Sequence, residues 1–125
     1  MDSPPTFSAG VNVAMKLPER LYDETLAFYR DTLGMPVLEE RDDGALVQFG
    51  PMRLHLDRLP QQSQTDIWLQ VLTADTTAAA RYLAGHGVRS CNEVEPLPEG
   101  FDGYWIAAPS GTIHLVAAAG ATSQG

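Results

Sequence analysis

Residues 26–35, Leu26-Ala27-Phe28-Tyr29-Arg30-Asp31-Thr32-Leu33-Gly34-Met35, carry the reading that decides the fold. Leu26, Tyr29 and Leu33 recur at helical spacing and extend a periodicity that begins at Tyr22. Gly34 follows as the C-terminal stop. Upstream, Pro18 sits where a helix starts. It also ends a strand over Val11-Asn12-Val13-Ala14-Met15-Lys16-Leu17, in which apolar residues alternate with small or polar ones. Downstream come three β-like runs, Met35 to Arg41, Ala45 to Phe49 and Met52 to Asp57. The turn formers Asp42-Asp43-Gly44 and Gly50-Pro51 separate them. The predicted order is strand, helix, strand, strand, strand.

The same order then repeats. Ile67-Trp68-Leu69-Gln70-Val71-Leu72 reads as a strand, Thr76 to Ala84 as a helix closed by Gly87, and Val88 to Glu93 as a weak strand. Tyr104 to Ala107 and Thr112 to Ala117 make a hairpin around Pro109-Ser110-Gly111. Tyr29 and Gly34 are each followed 53 residues later by their counterparts, Tyr82 and Gly87. An aliphatic-His-Leu triplet stands near the end of each half, Leu54-His55-Leu56 and Ile113-His114-Leu115. Duplicated units place equivalent residues around one site. The predicted fold class is α+β: one domain over 1–125, with module 1 at about 10–58 and module 2 at about 66–118. Met1 to Ala9 and Ala118 to Gly125, rich in Pro, Ser, Gly and Ala, read as loose ends. The competing architecture, a ferredoxin-like sandwich, wants βαββαβ and leaves two strands unexplained.

Composition narrows the partners. The formal charge of −8 and scattered basic residues argue against nucleic acid and anionic membranes, since phosphate contacts need clustered Lys and Arg. No apolar run approaches the roughly 18–20 residues of a membrane span. The first residues lack the basic-then-apolar pattern of a secretory signal. The single cysteine, Cys91, fits a reducing compartment and reads as an inert thiol, so the expected location is the cytoplasm.

The run Phe28-Tyr29 followed by Leu33-Gly34-Met35, together with Ala108-Pro109-Ser110-Gly111 before the last strand, resembles two signatures of one group of proteins. That group is the glyoxalase/bleomycin-resistance/extradiol-dioxygenase, or vicinal oxygen chelate, superfamily. The resemblance covers roughly residues 10–118 and implies two βαβββ modules whose curved mixed sheets surround a cup-shaped site. It implies a homodimer as well. By the same resemblance, a divalent metal (Zn, Ni or Fe) would be held from Asn12, His55, Trp68 and His114. Ala108 replaces the usual Asp of the hairpin, and none of the four places carries a carboxylate. An indole cannot ligate a metal, which leaves His55 and His114 as the metal candidates. Glyoxalase-type proton transfer needs a base that neither Asn12 nor Trp68 supplies, so standard lactoylglutathione lyase activity is not expected.

Strand alternation sorts the remaining candidates. Asn12, Ala14 and Lys16 share one face, as do Arg53, His55 and Asp57. Leu69 and Val71 read as the core side of their strand, leaving Trp68, Gln70 and Leu72 toward the cup. A cup with an aromatic wall and a few hydrogen-bonding groups suits a small organic ligand, contacted by Asn12, Lys16, Arg53, His55, Trp68, Gln70 and His114. Lys16 and Arg53 would meet an anionic group on it, or else mark solvated strand ends. Each histidine also reads as a sheet-face residue hydrogen-bonded to backbone or water. Two functions stay open: a small-molecule binder that sequesters an aromatic or amphipathic compound, and a divergent metal-dependent lyase or isomerase using His55 and His114.

Overall fold

The computed structural model of the chain describes residues 4–119. They form two compact units, one spanning Val11–Trp68 and the other running from Leu69 onward together with the N-terminal residues up to Gly10. Met1 to Ser3 and Gly120 to Gly125, most of the two expected loose ends, lie outside the described residues.

The first unit begins with β2 (Asn12–Pro18), the first strand, β1 (Ser8–Ala9), belonging to the other unit. Helix α1 (Glu19–Ala27) follows directly, because the fixed φ of Pro18 ends the strand and Glu19 places a carboxylate in the helix's first turn. The helix runs on through Phe28–Thr32 with a widened last turn, in which the Leu33 N–H donates to the Phe28 carbonyl at 2.9 Å. Gly34, at φ +70°, then takes the left-handed conformation that reverses the chain, as Gly87 does at +77°. Strands β3 (Val37–Arg41), β4 (Gly44–Phe49) and β5 (Met52–Leu59) form an antiparallel meander. β5 then pairs parallel with β2, and β2 pairs antiparallel with the start of β6 (Asp66–Thr73). Tyr22 and Leu26 of the helix pack on Leu17, Ala45, Val47, Leu54 and Leu56. Burial of this kind contributes about 1.5–3 kcal/mol per large apolar side chain.

The second unit repeats the pattern with β6, α2 (Thr76–Gly85), β7 (Arg89–Ser90), β8 (Gly103–Ala107) and β9 (Ile113–Ala118). Asp75 caps α2 by accepting from the Ala78 N–H at 3.0 Å. β6 pairs parallel with β9, and β9 antiparallel with β8. Each unit is therefore βαβββ, and the chain is α+β as expected. The ferredoxin-like alternative is set aside by the strand count.

Two local expectations are corrected. Ser8–Ala9 is not loose: it forms β1, antiparallel to Leu72 and Val71, and the Thr6 carbonyl accepts from the Thr73 hydroxyl at 2.9 Å. A two-residue strand is too short to show alternation, yet the backbone groups of β6 need partners and find them there. Val88 to Glu93 is strand only at Arg89–Ser90, after which Asn92–Val94 makes a tight helical turn. No helix among the described residues is long and apolar enough to cross a membrane.

Candidate functional site

Pairing register in the first unit determines which side chains share a face. The helix-covered face carries the alternate residues Val13, Met15 and Leu17 with Leu54 and Leu56. The opposite face is built in rows. Leu46, His55, Ala14 and Trp68 form one row across β4, β5, β2 and β6. Gly44, Asp57, Lys16 and Asp66 form the next, and Gln48, Arg53 and Asn12 a third. Five of the expected ligand contacts, Asn12, Lys16, Arg53, His55 and Trp68, are thus gathered on this polar face.

Lys16 anchors it. Its side chain is 3 % exposed, its Nζ lies 2.6 Å from Asp57 Oδ2, and the ammonium sits 4.2 Å from the centroid of the Trp68 ring. Burying an ammonium is tolerable only with such company: a carboxylate for charge and an indole face for the cation–π attraction. The solvated-strand-end reading of Lys16 is therefore corrected. Trp68 is itself 9 % exposed, whereas its strand neighbours Ile67 and Leu69 are 40 % and 39 % exposed. The expectation that Leu69 would be the buried neighbour is thus reversed, because the indole packs under the lysine rather than standing open.

His55 Nε2 lies 2.9 Å from Asn12 Oδ1. An amide oxygen only accepts, so Nε2 carries the proton and Nδ1 of the neutral ring is left as an acceptor. Burial, helped by the charges of Arg53, Arg41 and Lys16 and opposed by Asp57, pushes the His55 pKa below the usual imidazole range. Beside this pair, Arg53 Nε is buried and has no hydrogen-bond partner among the described residues. A buried N–H left in that state costs about 1–3 kcal/mol.

The second unit separates its two candidates. His114 pairs with Leu69 and Ile106, on the face that also bears Val116 and Tyr104. The Tyr104 hydroxyl donates to the Thr76 carbonyl in the first turn of α2, so this is the face the helix covers. His114 Nδ1 lies 3.1 Å from the Thr112 carbonyl. Gln70 lies on the other face, in the row of Leu115 and Trp105. His86 stacks on Tyr82 at 4.2 Å and bonds its carbonyl, and burial raises the pKa of the Cys91 thiol. A cavity of about 380 Å³ beside the end of α2 is lined by His86 to Arg89, Ala107 to Pro109 and Gly111.

A resident metal does not fit the donors of the polar face. Among the described residues, no group of three or more His, Cys, Asp or Glu side chains gathers. The face offers one imidazole bonded to Asn12, and its Asp57 is neutralised by Lys16. Structural and catalytic zinc sites take at least three protein ligands.

Sequence reasoning missed Leu46 and Gln48, because the buried run Gly44 to Val47 hides the alternation of β4. It also missed the Lys16–Asp57 pairing, although it placed both residues on polar faces. The signal available was a lone lysine in mid-strand with an aspartate on another strand.

No protein-family model matches the chain, and no curated protein matches it in sequence. Solved structures do match. A Mn(II)-bound glyoxalase from Novosphingobium aromaticivorans is similar at TM-score 0.65 and 18% identity, over 91% of this chain and 40% of that one. Methylmalonyl-CoA epimerase from Mycobacterium tuberculosis is similar at TM-score 0.59 and 20% identity, over 94% and 92% of the two chains. Homoprotocatechuate 2,3-dioxygenase from Arthrobacter globiformis is similar at 0.64 and 18% identity, over 92% and 37%. The chain thus spans about two fifths of the glyoxalase and of the dioxygenase, and nearly all of the epimerase. Two βαβββ units and these likenesses together give the chain the fold of the vicinal oxygen chelate superfamily.

Proposed function

We propose that the chain is a cytoplasmic small-molecule-binding protein of the glyoxalase/bleomycin-resistance type, sequestering an aromatic or amphipathic compound on the polar face of its first unit. The observation that carries this reading is the chemistry of that face. His55, Asn12 and Arg53 provide hydrogen-bonding groups beside a buried indole, while Asp57, the carboxylate nearest His55 on β5, is spent on Lys16. Such a surface orients a ligand and leaves no unpaired carboxylate beside His55 to act as the base of an isomerisation.

The test uses tag-free protein carrying Trp105→Phe, so that Trp68 is the only tryptophan reporting. Titration with aromatic metabolites and planar antibiotics is expected to give a saturable fluorescence change for at least one of them. His55→Ala and Asn12→Ala should each weaken that ligand about tenfold, the worth of about 1.4 kcal/mol of lost hydrogen bonding. Unchanged affinity in both variants would move the site elsewhere. Stoichiometric metal in the parent protein, lost in a His55→Ala, His114→Ala double variant, would make the chain a metal-dependent lyase or isomerase instead.

The proposed assembly is a homodimer. Val11, Phe28, Leu33, Leu38 and Phe49 are large apolar residues of the first unit that are 43–49 % exposed. Exposure of that extent on one unit suits a contact between copies. Light scattering at micromolar concentration should give twice the 13.5 kDa chain mass, and a single-chain mass would refute the dimer.

A further inference from the structure

Arg53 stands apart from the other basic residues of the chain. Among the described arginines, Arg53 and Arg58 are the two that are partly buried. Arg58 is paired, to Glu19 at 2.5 Å and Asp23 at 3.4 Å. Arg53 makes no such ion pair among the described residues, and its cross-strand neighbours, Gln48 and Asn12, are both neutral. Its Nε, like that of Arg58, is buried without a hydrogen-bond acceptor, but Arg58 has carboxylates on its other two nitrogens. In a chain with 16 acidic and 8 basic residues, a half-buried guanidinium with no carboxylate beside it is an open donor site for one.

The local charge balance fixes the kind of anion. Lys16 lies 2.6 Å from Asp57 and Arg41 2.8 Å from Glu39, so both of those cations are matched. In its own row, Gln48–Arg53–Asn12, Arg53 is the one charged side chain, and a monoanion balances it. A phosphate dianion would leave one negative charge uncompensated, with Asp57 two rows of the sheet away. The geometry also suits a carboxylate, whose two oxygens match the Nε and Nη edge of a guanidinium.

We propose that the ligand of this face carries a carboxylate and that Arg53 holds it, a proposal that rests on the binding function above and names its ligand class. The carboxylate takes the hydrogen bond that Arg53 Nε lacks. The His55–Asn12 pair, with Asn12 in the row of Arg53 and His55 one row along, meets a neutral polar group on the remainder of the molecule.

The experiment follows the Arg53 Nε–H, His55 and Asn12 resonances of the full chain by NMR, with benzoate, its neutral isostere benzamide, and phenyl phosphate as probes. Benzoate is expected to shift the Arg53 signal and saturate, with benzamide at least tenfold weaker. Arg53→Gln should weaken benzoate at least tenfold and bring the acid-to-amide affinity ratio close to one. Arg53→Lys should fall between, since it keeps the charge and loses the fork. Equal binding of acid and amide, with His55 and Asn12 responding, would overturn the Arg53 subsite and leave the binding face standing. Tighter binding of phenyl phosphate than of benzoate would replace the carboxylate with a phosphate ester. No response of the three residues to any probe would overturn both readings. Should Arg53→Gln fail to fold, the acid-to-amide ratio on the unaltered chain decides alone.

Discussion

Asp57→Ala is expected to lower the unfolding free energy by about 3 kcal/mol, because it leaves the Lys16 ammonium buried without its carboxylate. For a chain of this size that corresponds to a melting temperature roughly 10 °C lower. The reasoning turns on which partner is removed. The Lys16 side chain is 3 % exposed and that of Asp57 24 %, so the lysine has no route to water while the aspartate does. Lys16→Met should therefore cost less than Asp57→Ala. The double variant Lys16→Met, Asp57→Leu should recover most of the loss, since apolar residues of similar volume often replace a buried ion pair without penalty. Methionine retains a favourable contact with the Trp68 ring in place of the ammonium. Urea denaturation of the unaltered chain, Lys16→Met, Asp57→Leu and their double variant completes the cycle. Strictly additive single-variant losses would show that the pair contributes no coupling of its own.

Trp68→Ala should be comparably severe, at about 3–4 kcal/mol. Deleting a buried indole costs transfer energy plus the cavity that remains. Here it also removes the ring beneath Lys16, at 4.2 Å. Trp68→Phe keeps an aromatic face for the ammonium and should cost about 1–2 kcal/mol. The second signature is non-additivity: Trp68→Ala in the Lys16→Met background should cost less than alone, because the shared contact is already gone. A loss below about 1 kcal/mol for Trp68→Ala would mean that the indole neither packs nor supports the lysine.

Both effects bear on function. In the proposed binding function, the Lys16–Asp57–Trp68 cluster forms the floor, and His55, Asn12 and Arg53 are the groups that would meet a ligand. Trp68 was expected as an open stacking wall. With Lys16 Nζ over its ring and only 9 % of its surface exposed, it is instead packed beside the lysine.

The two aliphatic-His-Leu triplets show how far local pattern reaches. In sequence they look equivalent. In the fold, His55 stands on the face opposite α1, while His114 stands on the face α2 covers. Side-chain direction in a strand has period two, so a one-residue slip in register sends a residue to the other face. His55 lies beside Ala14 of β2, on the face of Asn12, whereas His114 lies beside Leu69 of β6, on the face opposite Trp68 and Gln70. Register between distant strands sets the face, and no triplet encodes that.

What the amino-acid sequence determined by itself is everything set by neighbours in the chain. The helix ending at Gly34, the duplicated strand–helix–strand–strand–strand order, and the common face of Asn12 with Lys16 and of Arg53 with His55 follow from periodicity and from glycine's left-handed freedom. What only the tertiary structure decided is who stands opposite whom. Lys16 meets Asp57 because β2 and β5 pair in parallel across 41 positions of sequence, and Trp68 joins them because β6 comes in antiparallel on the other side. Strand pairing between distant segments is selected by the packing of the whole face, and local propensity does not carry that information.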